Sequence, residues 1–153
     1  MKEGLLNAWM VNNEKNILLL QHLEETYLNT RLAAKGRTVG EQLAHMHDNR
    51  VKWIEFVAKN LYNKEMLVGK NEKISIALLT KSFNESAQII EQVIHASWEE
   101  DGRLPSFKSG LIPFVSYLIS HESHHRGNIL LTIKQSGFKI PDRLKWGLWE
   151  WAK

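Results

Sequence analysis

The sequence predicts an all-α protein, a four-helix bundle closed by a short C-terminal helix. Three observations support this. Four long segments repeat apolar residues at intervals of three and four, the period of a helix with one buried face. No stretch alternates convincingly with period two, so almost no sheet is expected. Only 9 Gly and 3 Pro occur in 153 residues, which permits long helices and argues against disordered linkers. That length suits one domain, residues 1–153, with a self-sufficient core.

The first segment runs from about Lys2 to Leu23, with Leu5, Leu6, Trp9, Met10, Ile17, Leu18 and Leu20 at helical spacing. "LNTRLAAKGRT" then breaks the pattern. The second begins at Thr38, which with Glu41 three residues later forms a capping box. Val39, Leu43, Met46, Trp53, Ile54 and Val57 carry it to about Leu61. The third spans roughly Ile74 to Ser97 through Leu78, Leu79, Phe83, Ala87, Ile90 and Ile94, and the Gly- and Pro-containing "EEDGRLPSFKSG" ends it. The fourth runs from about Leu111 to Gln135, where Gly137 suits a helix stop. The tail "DRLKWGLWEWAK" predicts a short helix presenting Trp146, Leu148 and Trp149. A tail stripe of this kind usually docks a terminal helix on the core; walling a cleft is the other reading. Six tryptophans suggest a core or cleft with large flat walls.

Composition excludes several functions. The net charge of +3 comes without any run of five like charges, so it is read as solubility and no nucleic-acid partner is expected. No apolar run approaches the ~18 residues of a membrane span. "MKEGLLNAWMVNNEK" lacks a continuous apolar core, so no signal peptide is expected, and a reduced cytoplasmic setting fits. With no cysteine there are no disulfides, no thiolate ligands and no cysteine nucleophile. No Ser-His-Asp pattern, P-loop or dinucleotide-binding glycine motif occurs.

Three of the seven histidines fall in "HESHHRGN", positions 121–128. His121 and His125 stand four apart, so a helix places them on one face, where two imidazoles can share an ion. His124 is a second neighbour of His121, at i+3. With about 100° per residue, His125 lies nearer the stripe formed by Leu111, Val115, Leu118, Ile129 and Ile133. His121 and His125 are therefore expected to point inward, with His124 at the rim. A firmly held ion needs a third ligand. His45 and His47 in the second segment are the candidates. Residues two apart diverge on a helix, and periodicity alone does not choose between them. His22 and His95 stand alone and are read as ordinary polar side chains. Glu122 is turned by about 100° from His121 and does not easily join the same ion. Glu41 and Asp48 are read as a cap and a surface residue.

"RTVGEQLAHMHDNRVKWI", followed by "YLISHESHHRGNILLTIKQSGFKIP", resembles the DinB/YfiT-like family of metal-dependent enzymes over nearly the whole chain. The ending "WGLWEWAK" resembles one branch of it. The family motif is one histidine on the second helix, then H-x-x-x-H on the last long helix. The resemblance implies His45, His121 and His125 as metal ligands, with His47 an extra histidine near the site mouth or surface. It implies a four-helix bundle with a long crossover, a homodimer, and a divalent transition metal (nickel, zinc or iron) with water in its open position. It also implies a transferase that uses a low-molecular-weight thiol, such as bacillithiol, mycothiol or glutathione, or else a hydrolase.

Such an ion lowers the pKa of bound water or thiol. Since the chain has no cysteine, any thiol must arrive as a cosubstrate, and its thiolate is the species that attacks a small electrophilic substrate. Glu122, Asn49 and Asn128 are candidate outer partners of the ligand rings. Arg126 and Arg50 are candidates to hold an anionic substrate, against the ordinary reading of a salt bridge. The alternative function is a non-catalytic metal-binding stress-response bundle.

Overall fold

The computed structural model describes residues 1–70 and 73–152, and the described residues contain helices and no strand. The long helices are α1 (Lys2–Gln21), α2 (Val39–Val57), α3 (Ile76–Glu99) and α4 (Leu111–Gln135), followed by the short α5 (Asp142–Gly147). Short 3-10 turns lie at Glu25–Asn29, Lys59–Leu61 and Lys64–Met66.

The ends follow local chemistry. Thr38 and Glu41 form the expected reciprocal cap: Glu41 N–H donates to Thr38 Oγ1 (3.1 Å), and Thr38 N–H donates to Glu41 Oε2 (2.7 Å). Helix α2 stops at Val57, earlier than expected, and Lys59–Leu61 tightens into a separate 3-10 turn. Helix α3 starts at Ile76, later than expected, because the Ser75 hydroxyl caps it by accepting from Leu78 N–H at 3.2 Å. Beyond α4, Gly137 takes φ +87, and Phe138 N–H reaches back to the Ile133 carbonyl (3.2 Å). Only glycine adopts that left-handed turn cheaply.

Helix α1 packs chiefly on α3 and α4, and α2 packs on the same two, so α1 and α2 stand on a diagonal. The chain therefore crosses the bundle between them. Two apolar clusters give the directions. One joins Leu19 and Leu20 of α1 to Leu43, Leu79 and Ile133; the other joins Trp9 of α1 to Ile54, Ile94 and Phe114. It follows that α1 and α4 run one way and α2 and α3 the other. Helix α5 docks through buried Leu144 and through Gly147, where an added Cβ would lie 2.7 Å from Leu18 Cδ2. The docking does not use the tryptophans: Trp146 and Trp149 are exposed, and neither lines the histidine-bearing cleft. Trp9 does serve the core, with its indole N–H donating to the Ala87 carbonyl (3.0 Å).

Between the two clusters lies a buried polar layer. Arg50 of α2 grips Glu122 of α4 with two hydrogen bonds, Nε to Oε1 (2.6 Å) and Nη2 to Oε2 (2.8 Å). Asn12 and Asn16 of α1 each donate to Glu122 Oε2 (2.7 Å). Arg50 Nη1 also reaches Asn13 Oδ1, the Phe83 carbonyl and Ser86 Oγ, and the guanidinium lies 4.6 Å from the Trp9 ring centroid and 4.9 Å from that of Phe83. The inward face of α1 is thus partly polar, with Asn12, Lys15 and Asn16 buried, while Met10, expected inside, is exposed.

A bidentate ion pair whose remaining lone pairs are satisfied can offset its own desolvation, but losing one partner leaves an uncompensated buried charge. Glu122→Gln is therefore expected to lower stability by about 3–5 kcal/mol. Urea unfolding of the variant against wild type measures this, and a loss under about 1 kcal/mol would mean that the pair contributes little.

Candidate metal centre

His45 lies two turns into α2, and His121 and His125 lie midway along α4, at the seam where these helices pack. Their ring centroids are 5.2 Å (His45–His121), 4.9 Å (His45–His125) and 4.6 Å (His121–His125) apart. One nitrogen from each ring lies within 4.8 Å of those of the other two, so the three can reach a common ion. His45 and His121 are half-buried and His125 is buried.

The α2–α4 ion pair produces this alignment. Arg50 is five residues beyond His45, and Glu122 directly follows His121. Joining Arg50 to Glu122 fixes how far α2 slides along α4, and this sets His45 opposite the His121–His125 pair. The turn of about 100° between His121 and Glu122 sends the carboxylate into the core while the imidazole faces the seam.

The electrostatics favour neutral imidazoles. Burial depresses the His125 pKa to about 4, helped by His121, His45, His124 and Arg37. His45 is lowered by burial, then by Arg37, His121 and Lys52. Burial also lowers His121, with Glu122 working against it. Neutral imidazole is the ligating form. The hydrogen bonding is compatible with an ion: His125 Nδ1, like His47 Nε2 outside the group, is buried and has no hydrogen-bond partner among the described residues. Such an atom is costly unless a ligand satisfies it.

The other candidates separate clearly. His47 is fully buried against the Phe83 ring (centroids 5.8 Å), with Nδ1 3.2 Å from Asp48 Oδ1. It does not join the three-histidine group and lies neither at the site mouth nor at the surface, because two residues along α2 turn it toward α3. His124 is at the rim, as expected, 3.0 Å from the Asn128 amide, which therefore does not serve a ligand ring. Glu122 is likewise no partner of the rings. Burial would raise its pKa, but Arg50, Asn16 and Asn12 outweigh that and hold the carboxyl below its ordinary range. Arg50 and Arg126 both lie in the buried layer and not at the histidine seam. Asp48, expected at the surface, is largely buried and accepts the backbone N–H groups of Val68 and Gly69 (2.8 and 2.9 Å).

Of the expected outer partners, Asn49 is the one in place, its side-chain amide 3.4 Å from His121 Nδ1. Its other end lies 3.4 Å from the Tyr117 hydroxyl. An amide oxygen turned toward Nδ1–H would leave His121 Nε2 free to ligate. Sequence reading missed the cationic mouth. A cleft of about 450 Å³ reaches His45 and is lined by Arg31, Lys35, Arg37 and Lys52, which outnumber its two carboxylates, Glu41 and Asp48. Two of these carried a local signal: Arg37 immediately precedes the α2 cap, and Lys52 follows His45 by seven residues, on the same helical face. Larger hollows of about 680 and 630 Å³ lie elsewhere, one around the α3–α4 loop and one between α4 and the C-terminal segment, and no histidine lines either.

A diagonal-crossing helical bundle carries three convergent imidazoles on its second and fourth helices, a group that could hold a metal ion. The DinB family profile matches residues 1–143, and the chain belongs to the DinB family. The fold is similar to the crystal structure of a DinB-like protein from Bacillus cereus ATCC 10987, with a TM-score of 0.68 at 20% identity over 91% of this chain and 95% of that one. No curated protein matches the chain significantly. Among the described residues, no helix is long and apolar enough to cross a membrane.

Elemental analysis of tag-free protein is expected to find close to one divalent ion per chain. His45→Ala and His125→Ala should each weaken binding by more than the roughly 10–100-fold typical of losing an outer partner, while Asn49→Ala should fall within that range. His47→Ala should keep the ion at some cost in stability. Metal retained in His125→Ala and lost in His47→Ala would assign the site to the wrong histidine.

Proposed function

We propose that His45, His121 and His125 hold one divalent transition ion and that the protein is a metal-dependent transferase acting on a low-molecular-weight thiol. The observation that carries this reading is one nitrogen from each of three imidazoles within 4.8 Å of the others, beside an open cleft with a surplus of cationic side chains. An all-imidazole set suits zinc, nickel or iron. When bound, the ion would act as a Lewis acid that lowers the pKa of a coordinated thiol. In the overall reaction the thiol loses its proton to solvent and forms an S–C bond. The leaving group departs from the electrophilic carbon with the bonding pair.

The chain's own residues supply the rest. Neutral imidazoles leave the full charge of the ion at the site, because none brings a compensating negative charge. Arg37 and Lys52 at the cleft favour a thiol that carries a carboxylate. Tyr117 lies against His121 (ring centroids 6.0 Å) and is backed by Trp53 and Phe107, and the exposed Tyr117 ring offers an aromatic surface to an apolar electrophile. Among the described residues no fourth imidazole or carboxylate joins the group, which favours an exchangeable position over the closed coordination of a structural site.

The test is turnover of glutathione and of 2-mercaptoethanol with an aryl halide, using protein loaded at one ion per chain. Activity should require the ion and vanish in His125→Ala. Arg37→Ala should raise KM for glutathione roughly tenfold, the effect of about 1.4 kcal/mol, and leave 2-mercaptoethanol nearly unchanged. Stoichiometric metal without turnover of any thiol or ester would support the non-catalytic metal-binding bundle instead.

A further inference from the structure

The buried polar layer carries more positive than negative charge. Arg50 and Arg126 are both more than nine-tenths buried, and Glu122 is the carboxylate they share a layer with. Arg50 takes both of its oxygens. Arg126 has only neutral acceptors, the Asn12 and Asn16 amide oxygens at 3.0 and 2.7 Å, and both bonds come from Nη1. Among the described residues no carboxylate forms an ion pair with Arg126 and no acceptor takes Nε or Nη2. The Nε and Nη2 edge of Arg126 is thus free to meet a ligand from the solvent side, and an anion suits it best.

The space for one is present. The cavity of about 630 Å³ between α4 and the C-terminal segment opens on Arg126. Lys134, Lys139 and Lys145 stand around it, and Asp142 is the one carboxylate among its lining residues. Its apolar wall includes Leu130, Ile140 and Trp149, the last 80% exposed. The volume lies within the range of small-molecule sites. The cavity is separate from the histidines: Leu130 lies nine residues beyond His121, half a turn round α4 at about 100° per residue.

We propose that this cavity is a binding site for an amphipathic monocarboxylate. The free edge of the Arg126 guanidinium takes the carboxylate in a two-pronged bond, and the tail lies along Leu130, Ile140 and Trp149. The ligand offsets the charge of Arg126 and covers an otherwise exposed indole. The site does not depend on the metal reading.

The probe is octanoate, compared with octanamide of the same length, by calorimetry and amide chemical shifts. Octanoate should saturate at one per chain and octanamide should bind at least about tenfold more weakly, since it lacks the charge-assisted bonds. Gly127→Leu is the blocking variant: an added Cβ at Gly127 meets nothing within 4 Å, and the residue lines the cavity. It should reduce octanoate affinity at least about tenfold with Tm unchanged or raised. His125→Ala in the presence of chelator should bind octanoate as wild type does. Absence of saturable binding, equal binding of the amide, indifference to Gly127→Leu, or loss in chelated His125→Ala would each overturn the proposal. So would a ligand-free dimer that shields Trp149 from a fluorescence quencher.

Discussion

The Arg50–Glu122 ion pair is the constraint on which the rest of the molecule depends. Two apolar clusters occupy the two ends of the bundle, and apolar packing alone leaves helices free to slide by small steps at little cost. A buried bidentate pair does not tolerate such a step, because a shift of one residue strands a charge in the core. Asn12 and Asn16 tie α1 to the same carboxylate, and Ser86 and the Phe83 carbonyl tie α3 to the same guanidinium. One ion pair thus sets the register of all four long helices.

The histidine site is a consequence of that register. A metal centre needs its donors placed to within a fraction of an ångström, and side chains on two separate helices achieve this only if the helices cannot slip. His121 borders Glu122 in sequence and His125 borders Arg126, so each histidine of the α4 pair has a core-anchored neighbour. The same burial that rigidifies the rings keeps them neutral, which is the form an ion requires. The positive groups at the cleft act in the same direction by disfavouring protonated imidazole.

Helix α4 serves two different environments. One face presents His121 and His125 to α2. The other presents Arg126, Gly127 and Leu130 to a cavity bounded by the C-terminal segment. Both rest on the same polar layer, in which buried Lys15, Arg50 and Arg126 outnumber the one buried carboxylate, Glu122. Charge that the core does not balance is exposed at a cavity wall, and there it becomes available to a ligand.

The helical periodicity, the Thr38–Glu41 box and the Gly137 stop were sufficient for the bundle, because such local signals depend only on residues three or four apart. The His121–His125 pair was legible for the same reason. Periodicity left His45 and His47 undecided; the family motif favoured His45, and the packing puts His45 beside the pair and His47 against Phe83. The inward polar face of α1, the buried roles of Arg50 and Arg126, and the cationic cleft at Arg37 were not legible, since each depends on partners more than thirty residues away or on several elements at once. Sequence by itself determined which residues share a helix face, because helix geometry is local. Tertiary structure alone decided which faces meet, because that depends on partners brought together from distant parts of the chain, as Arg50 and Glu122 are.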